Sequence, residues 1–223
     1  MSFNIAIDGP AGAGKSTIAK EVAKRLGFIY VDTGAMYRSI ALYLLRHNVD
    51  CEDPAQLSAA LEHIKLEMGY RDGAQQMFLN GENVTGLIRT AEVTKMASIS
   101  SAKPVVREKL LALQRDIAAA EDVLMDGRDI GTKILPDAQL KIFLTASAHA
   151  RAMRRWLENK EKGMEETLEE IEREIVERDE RDMSRETSPL VQAEDAVLVD
   201  SSDMTIEQVT ECILKLVEER RQG

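Results

Sequence analysis

The residues best suited to chemistry lie near the N-terminus, where positions 9–16 read GPAGAGKS and match the pattern G-x-x-x-x-G-K-[ST]. Glycines allow successive backbone N–H groups to turn onto phosphate oxygens, and the start of a following helix adds partial positive charge. In this pattern Lys15 reaches the β- and γ-phosphates of a nucleotide, and the hydroxyl of Ser16 is a ligand for Mg²⁺. The predicted nucleotide-binding loop comprises Gly9, Pro10, Ala11, Gly12, Ala13, Gly14, Lys15, Ser16 and Thr17.

The flanking residues supply the strand and the helix between which such a loop must lie. Residues 3–8 form a short apolar run typical of a buried strand, and beyond the loop apolar residues recur at helical spacing at Ile18, Val22 and Leu26. Gly27 is a helix stop signal. The alternative interpretation is a glycine-rich turn without a ligand, which the agreement between the motif and its context disfavours.

The composition indicates a globular protein. Of the 223 residues, 44% are hydrophobic and 30% are charged, and the chain is long enough for one core with inserted subdomains. The formal net charge of −10 disfavours general binding to nucleic acid, because that binding requires a basic surface. An anionic small substrate remains compatible with this charge, because a local cluster of arginines can override the global sign.

Cysteine usage and the distribution of apolar residues indicate the cellular compartment of the protein. Cys51 and Cys212 show neither a disulfide framework nor a metal-ligand spacing, and Cys212 lies near the apolar stripe of the last predicted helix, where packing explains it. The sequence has no run of 18 apolar residues and no basic N-terminal region followed by an apolar one. We therefore expect a cytoplasmic protein without a membrane partner.

Strands alternate with helices along most of the chain, which predicts an α/β fold with a parallel sheet wound on both faces. Strands are predicted near 3–8, 28–31, 123–125, 139–145 and 196–199. In such sheets, ligands bind at the carboxyl ends of the strands. Three charged or phosphate-seeking clusters fall at predicted strand ends, namely 9–16, 32–34 and 126–129.

A different pattern interrupts this alternation at about 64–85. Apolar residues alternate with polar residues or glycine from Ile64 to Tyr70, Asp72-Gly73 is a turn signal, and Asn80-Gly81 is a hairpin signal between two further short strands. Three short strands are marginally stable alone. The sequence therefore predicts a small antiparallel sheet that packs on neighbouring helices.

Two charged helices are predicted after the strand at 139–145. The first places Arg151, Arg154 and Arg155 on one face, because they are three and four residues apart. After a break at Lys162-Gly163, the second helix has an apolar stripe and ends in a charged segment, Arg178, Arg181, Asp182 and Arg185. Exposed charge pairs at i, i+4 explain most charges of this region without any ligand.

Four segments together resemble bacterial cytidylate kinase: the loop at 9–16, DTGAMYR at 32–38, DGRDIGT at 126–132, and ERDERD at 177–182 followed by Arg185. The loop alone is shared by many families, whereas the other blocks and the insert at 64–85 are far more specific, and the resemblance extends over essentially the whole chain. It implies transfer of the γ-phosphoryl group of ATP to CMP or dCMP.

The resemblance implies a fold: that of a P-loop nucleoside-monophosphate kinase, with a five-stranded parallel sheet, helices on both faces, an inserted small antiparallel sheet and a helical lid. The core ATP-binding domain would comprise 1–32, 101–150 and 187–223. The monophosphate-binding subdomain would comprise 33–100, with its insert at about 64–85, and the lid 151–186. The implied state is a monomer, and the implied partners are the small molecules CMP and dCMP.

The metal site is implied to lie at the phosphate loop. Many relatives have glycine after the loop lysine, and the presence of Ser16 at that position strengthens its interpretation as an Mg²⁺ ligand. Asp32 and Asp126 are weaker candidates that would hold Mg²⁺ through water.

The resemblance also implies how the acceptor phosphate is bound. Arg38 and Arg128, joined by Arg185, would bind the phosphate of CMP, since the guanidinium fork matches phosphate oxygens in pairs. Thr33 would lie beside the acceptor nucleotide. The alternatives are surface salt bridges for the arginines and a simple helix N-cap for Thr33.

Base and sugar recognition are assigned by resemblance alone. Cytosine offers a ring-nitrogen acceptor, a carbonyl and an amino donor, and therefore needs a mixed set of groups, here Ser98, Arg107 and Asp129. Arg178 and Asp182 would meet the sugar hydroxyls. A helix-surface hydroxyl and solvated helix charges are the alternatives.

Catalysis is expected to depend on positioning and charge neutralisation, because the acceptor phosphate is already ionised at pH 7 and needs no strong base. The catalytic candidates are Lys15, Arg128, Asp129, Arg154 and Arg155. One of Arg154 or Arg155 would touch the transferring group when a lid closes and excludes water.

Other functions remain open at this point. A P-loop kinase that phosphorylates UMP or a metabolite hydroxyl is the second hypothesis, and for a hydroxyl Asp129 could serve as the base. A nucleotide-dependent switch is the third. A guanine-nucleotide switch would carry an Asn-Lys-x-Asp base reader, which the sequence NKEK at 159–162 does not match. Turnover with CMP but not with AMP or GMP would select the first hypothesis.

Overall fold

The computed structural model describes residues 2–71, 74–161 and 163–222. The predicted turn at Asp72-Gly73 and the Lys162 half of the predicted break lie outside these residues. Gly163, the other half of that break, has a left-handed backbone with φ +73°.

The elements alternate as the sequence predicts. In chain order the described strands are β1 (Asn4–Asp8), β2 (Ile29–Asp32), β3 (Leu66–Arg71), β4 (Ala74–Leu79), β5 (Glu82–Asn83), β6 (Val123–Gly127), β7 (Leu140–Thr145) and β8 (Val197–Asp200). The described helices are α1 (Lys15–Leu26), α2 (Thr33–Arg46), α3 (Pro54–Glu62), α4 (Ala91–Ser100), α5 (Pro104–Ala120), α6 (Ala148–Glu161), α7 (Leu168–Ser184) and α8 (Ile206–Gln222).

The larger sheet has five strands in the order β2-β6-β1-β7-β8, and the prediction of a parallel sheet is confirmed. At the centre, Ile5 of β1 pairs with Leu124 of β6 on one side and with Leu140 of β7 on the other. The apolar stripes of α1 and α8 pack together with this sheet in one buried cluster, which includes Val22 and Ile213. The central strand thereby fixes where the loop after Asp8 begins.

The smaller sheet is antiparallel, with the order β3-β4-β5, and it confirms the insert predicted at about 64–85. Leu66 pairs with Leu79, and the hairpin turn uses Asn80 and Gly81, both with positive φ (51° and 84°). Such a backbone favours asparagine and glycine, which is why the sequence signal was informative. Met77 is buried, and β4 lies against α2.

The chain forms two compact units. The first comprises Met1–Tyr30 and Glu121–Gly223, and therefore contains the loop at 9–16, α6, α7 and α8. The second comprises Val31–Ala120 and contains α2 to α5 and the small sheet. The finer division into core, monophosphate subdomain and lid remains a prediction.

Helix caps explain where several helices begin. Asp32 is the N-cap of α2, and its side chain accepts a hydrogen bond from the backbone N–H of Ala35, so the alternative in which Thr33 caps this helix was wrong. At the start of α8, Thr205 and Gln208 form a capping box through reciprocal hydrogen bonds. A second capping box, formed by Thr167 and Glu170 at the start of α7, escaped the sequence analysis.

Both cysteines are free. Cys51 is buried, and Cys212 is half-buried against the main core, as its position in the apolar stripe predicts. Within the described ranges, no helix combines the length and the apolar character needed to span a membrane.

Candidate active site

The glycine loop follows β1 directly and runs into α1. A Cβ atom at Gly9 would lie 2.0 Å from the carbonyl oxygen of Leu144 on β7, so only glycine allows this close passage of the two backbones. Gly14 precedes α1 with φ 82°, and no side chain of the described residues caps the helix. The N–H groups of the first turn of α1 are therefore left for an anion.

Two carbonyl oxygens of the loop accept hydrogen bonds from cations. Pro10 accepts from Lys15 Nζ at 2.7 Å, and Ala11 accepts from the guanidinium of Arg151 at 2.9 Å. Lys15 is buried, and burial lowers its pKa well below the usual value, with the positive charge of Arg128 lowering it further. The negative charges of Asp126 and Asp8 act in the opposite direction, and a bound phosphate group would add to them.

A hydroxyl and a carboxylate meet beside the loop. Ser16 Oγ donates to Asp126 Oδ2 at 2.9 Å, and the other carboxylate oxygen accepts from the hydroxyl of Tyr30 at 2.9 Å. Oxygen donors of this kind suit Mg²⁺, which typically binds through one or two carboxylates and hydroxyls, with waters and substrate phosphates completing the octahedron. The structure thus joins Ser16 to one of the two weaker metal candidates, Asp126.

The other weak metal candidate, Asp32, is engaged elsewhere. One oxygen, Oδ2, accepts from Arg38 Nη2 at 3.0 Å and from Arg89 Nη2 at 2.9 Å. The backbone N–H of Asp32 donates to Gln75 Oε1 of β4 at 2.7 Å. With two guanidinium groups on it, this carboxylate is already neutralised, which argues against a metal role.

Arg38 is half-buried, and its Nε is buried with no hydrogen-bond partner among the described residues. A Cβ atom at Gly34 would lie 2.9 Å from Arg38 Nη1 and 3.1 Å from Asp32 Oδ1, so glycine is what allows the guanidinium to lie over the start of α2. Thr33, the first residue of this helix, is buried.

Two of the residues assigned to cytosine lie near each other in the second unit. The guanidinium of Arg107 donates to the carbonyl oxygen of Ser101 at 3.0 Å and stacks over the ring of Tyr37 at 5.3 Å. Ser101 Oγ in turn donates to the carbonyl oxygen of Ser98, whose side chain is half-buried. Arg107 is thus a packed side chain, unlike a solvated helix charge.

The acceptor candidates of the first unit form an arginine cluster around one carboxylate. Arg128 Nε donates to Asp182 Oδ2 at 3.0 Å, and Arg185 Nη1 lies 4.0 Å from Oδ1. Burial alone would raise the pKa of Asp182, but the charges of Arg128, Arg178 and Arg185 outweigh burial and lower it. Asp129, next to Arg128 in the chain, is buried.

The three arginines of α6 have separate partners. Arg151 is buried and binds both carboxylate oxygens of Asp179 on α7, at 3.1 and 2.5 Å. Arg154 binds the backbone and the hydroxyl of Ser201 after β8. Arg155 pairs with Glu174 at 3.2 Å, and its side chain keeps 44% of its surface exposed.

A buried carboxylate that the sequence analysis did not single out connects the loop to the DGRD segment. Asp8 Oδ1 accepts from the backbone N–H of Ile130 at 2.8 Å, and Oδ2 accepts from that of Gly131 at 2.7 Å. Burial raises the pKa of Asp8 to about 6, although the two N–H groups act in the opposite direction. Arg89, Gln75 and Tyr30 were also not predicted as site residues, and Asp179 was quoted only as part of the segment 177–182, without a role. Asp8 gave a signal, as a carboxylate that ends an apolar strand immediately before Gly9.

The first strand of the parallel sheet runs through a glycine loop into a helix that begins with a lysine and a hydroxyl residue. This arrangement defines the class of P-loop nucleotide-binding proteins. Solved structures with this fold include shikimate kinase from Bacteroides thetaiotaomicron, at 13% identity and a TM-score of 0.50, covering 97% of this chain and 98% of that one. Another is an uncharacterized protein from Eubacterium ventriosum, at 12% identity and a TM-score of 0.52, covering 97% and 99%. These likenesses concern the fold alone.

A family model described as cytidylate kinase matches residues 5–219. The cytidylate kinase of Ligilactobacillus salivarius is 51% identical over 218 residues, which cover 98% of this chain and 97% of the relative. That of Bacillus cytotoxicus is 48% identical over 220 residues, covering 99% and 98%. The chain belongs to the cytidylate kinase family.

Proposed function

We propose that this protein transfers the γ-phosphoryl group of ATP to CMP and dCMP, forming ADP with CDP or dCDP. The observation that carries the proposal is membership of the cytidylate kinase family over residues 5–219, in a chain whose phosphate loop is intact. Family membership also disfavours the hydroxyl-acceptor kinase and the nucleotide switch. We further propose that the enzyme is a cytoplasmic monomer.

The loop at 9–17 would bind the phosphates of ATP. Support comes from the carbonyl oxygens of Pro10 and Ala11, which are turned toward cations, and from the uncapped first turn of α1. Lys15 would bind the β- and γ-phosphates. Ser16, with Asp126 beside it, would hold Mg²⁺, which supplies charge neutralisation and orientation of the phosphates when bound.

The acceptor phosphate would be bound by Arg38, Arg128 and Arg185. Arg38 and Arg128 donate charge-assisted hydrogen bonds to Asp32 and Asp182, which orient their guanidinium groups, and Arg185 lies 4.0 Å from Asp182. The buried Nε of Arg38, which has no hydrogen-bond partner in the described part of the chain, supports its assignment, since a phosphate oxygen would satisfy that donor.

The nucleoside of the acceptor would be recognised by groups from two parts of the chain. Ser98, Arg107 and Asp129 would read cytosine, and Arg178 and Asp182 would meet the sugar hydroxyls. The position of Arg107, packed on Tyr37 and bound to Ser101, supports a defined orientation of its guanidinium. Thr33 would lie beside the acceptor.

Catalysis would rest on alignment and charge, with no strong base. Of the two lid candidates, we assign Arg155 to the transferring phosphoryl group. Its pair with Glu174 is exposed, and exposed pairs are worth only about 0–1 kcal/mol, so the side chain can leave it easily. Arg154, by contrast, binds the backbone beside the buried Ser201.

The test supplies ATP and Mg²⁺ with each of CMP, dCMP, UMP, AMP and GMP, and follows the formation of ADP. We expect fast turnover with CMP and dCMP and little with AMP or GMP. Hydrolysis of ATP at the same rate with every monophosphate would contradict the proposal.

A further inference from the structure

The segment after Asp129 is a short π-helical turn, Ile130–Ile134, and its first N–H groups need partners. The residue directly before a helical turn usually supplies them, yet the side chain of Asp129 makes no capping hydrogen bond. Asp8 does so from the end of β1, with one carboxylate oxygen for Ile130 and the other for Gly131. Asp8 therefore caps this turn, although it lies 122 residues before Ile130 in the sequence.

Gly131 lies at the turn, between Asp8 and the stem of Lys141. A Cβ atom at Gly131 would lie 3.4 Å from Asp8 Oδ2 and 3.1 Å from Cδ of Lys141. The carboxylate and the lysine stem thus enclose the backbone of the turn closely. Lys141 itself is directed away by an ion pair with Asp195 at 2.8 Å.

We propose that Asp8 is a positioning residue that fixes the segment 127–131 and thereby orients Arg128 and Asp129 for the acceptor nucleotide. This inference rests on the proposed function, since the acceptor role of Arg128 and Asp129 belongs to it. Asp8 itself touches no nucleotide in this account, because both of its oxygens are occupied by backbone N–H groups.

The ionised form of Asp8 is the one that can position the turn. A carboxylate accepts at both oxygens, whereas an amide or a protonated carboxyl group has one acceptor oxygen fewer for these two donors. The charged groups that act on it are Asp129 beside the turn and Lys15 on α1, and the stem of Lys141 on β7 lies at the same glycine, Gly131. Burial raises the pKa of Asp8 to about 6, so the carboxylate prevails at neutral pH and is lost in mild acid.

The matched pair of variants is Asp8→Asn and Asp122→Asn. Asp122 also accepts a backbone N–H, that of Phe3 at 2.6 Å, but at the amino end of the same strands, far along β1 from the loop. At neutral pH we expect Asp8→Asn to raise the KM for CMP about tenfold, with the KM for ATP within about twofold, because a charged hydrogen bond to a buried donor is lost. Asp122→Asn should leave both values unchanged.

The pH dependence separates positioning from simple damage. The value of kcat/KM for CMP in the native protein is divided by the value in Asp8→Asn at each pH. The titration of CMP affects both values equally and therefore cancels in this ratio. This ratio should be largest near neutral pH and should fall as the pH drops through about 6, where Asp8 of the native protein takes up a proton. Amide hydrogen exchange at Ile130 and Gly131 should be faster in Asp8→Asn, and unchanged in Asp122→Asn.

Equal increases in the KM values for CMP and ATP, a ratio independent of pH, or unchanged exchange at Ile130 and Gly131 would each overturn the inference. Failure of the proposed function looks different, because the native protein itself would then not phosphorylate CMP. The exchange measurement needs no turnover and therefore tests the positioning contact in either case.

Discussion

At the scale of the residue, the charged groups of the site already contact partners within the protein itself. The ammonium group of Lys15 is buried against the carbonyl oxygen of Pro10, and its pKa is lowered by burial. Asp182 shows the opposite balance, because surrounding arginines lower its pKa despite burial. Such environments favour a polyanion over water near the lysine.

Replacing the loop lysine should separate activity from stability. Lys15→Met should lower kcat about 10²–10³-fold, because a charge aimed at the transferring group is lost. The melting temperature should not fall, since the substitution removes a charge whose burial is unfavourable. Lys24→Met, at an exposed site on the same helix, is the control and should change neither quantity. A Lys15→Met protein with native kcat would contradict the assignment.

Gly34→Ala should impair the acceptor site without destabilising the fold. The added methyl group would lie 2.9 Å from Arg38 Nη1, so the guanidinium must move, while alanine in a helix is favoured over glycine by roughly 1 kcal/mol. We expect a higher KM for CMP, an unchanged KM for ATP and a melting temperature that does not fall. Gly86→Ala, where a Cβ meets nothing within 4 Å, is the matched control. An unchanged KM for CMP in Gly34→Ala would argue against Arg38 as a phosphate ligand.

At the scale of the element, a side chain of the small antiparallel sheet contacts the residue that caps α2. Gln75 of β4 accepts from the backbone N–H of Asp32 at 2.7 Å, and its Nε2 lies 3.4 Å from the carbonyl oxygen of the same residue. Asp32 caps α2 and binds Arg38. The insert is therefore connected to the helix that carries the arginine.

Gln75→Ala should raise the KM for CMP several-fold, since the start of α2 loses its partner, and should leave the KM for ATP nearly unchanged. The unsatisfied N–H of Asp32 should cost about 1–3 kcal/mol, which corresponds to a fall in melting temperature of several degrees. Gln76→Ala, whose side chain bonds within the small sheet to Asn83, is the control for changes in that sheet. Equal effects of the two substitutions on CMP would refute the specific connection.

The elements could be predicted because each leaves a local signal. Alternation identified the small sheet, Asn80-Gly81 its hairpin, and the glycine loop the start of α1. Contacts between distant residues leave no such signal. Arg89 lies 57 positions from the carboxylate of Asp32 that it binds, and nothing in its neighbourhood of sequence marks it.

At the scale of the whole molecule, a net charge of −10 coexists with local concentrations of arginine. In each compact unit, arginines converge on one aspartate, Asp182 in the first and Asp32 in the second. The global sign opposes binding to nucleic acid, while the local clusters suit the phosphate of a small nucleotide.

The same charge favours a single chain in solution. Light scattering after size-exclusion chromatography should therefore give the mass of one 223-residue chain at micromolar concentration. A mass twice as large, independent of dilution, would contradict the monomer.

The most direct measurement follows the phosphoryl group itself. ATP labelled at the γ-phosphorus is incubated with the protein, Mg²⁺ and unlabelled CMP, and the products are separated. The label should appear at the β-position of CDP, and Lys15→Met should abolish most of this transfer. Label found only in inorganic phosphate, at a rate that CMP does not change, would contradict the account.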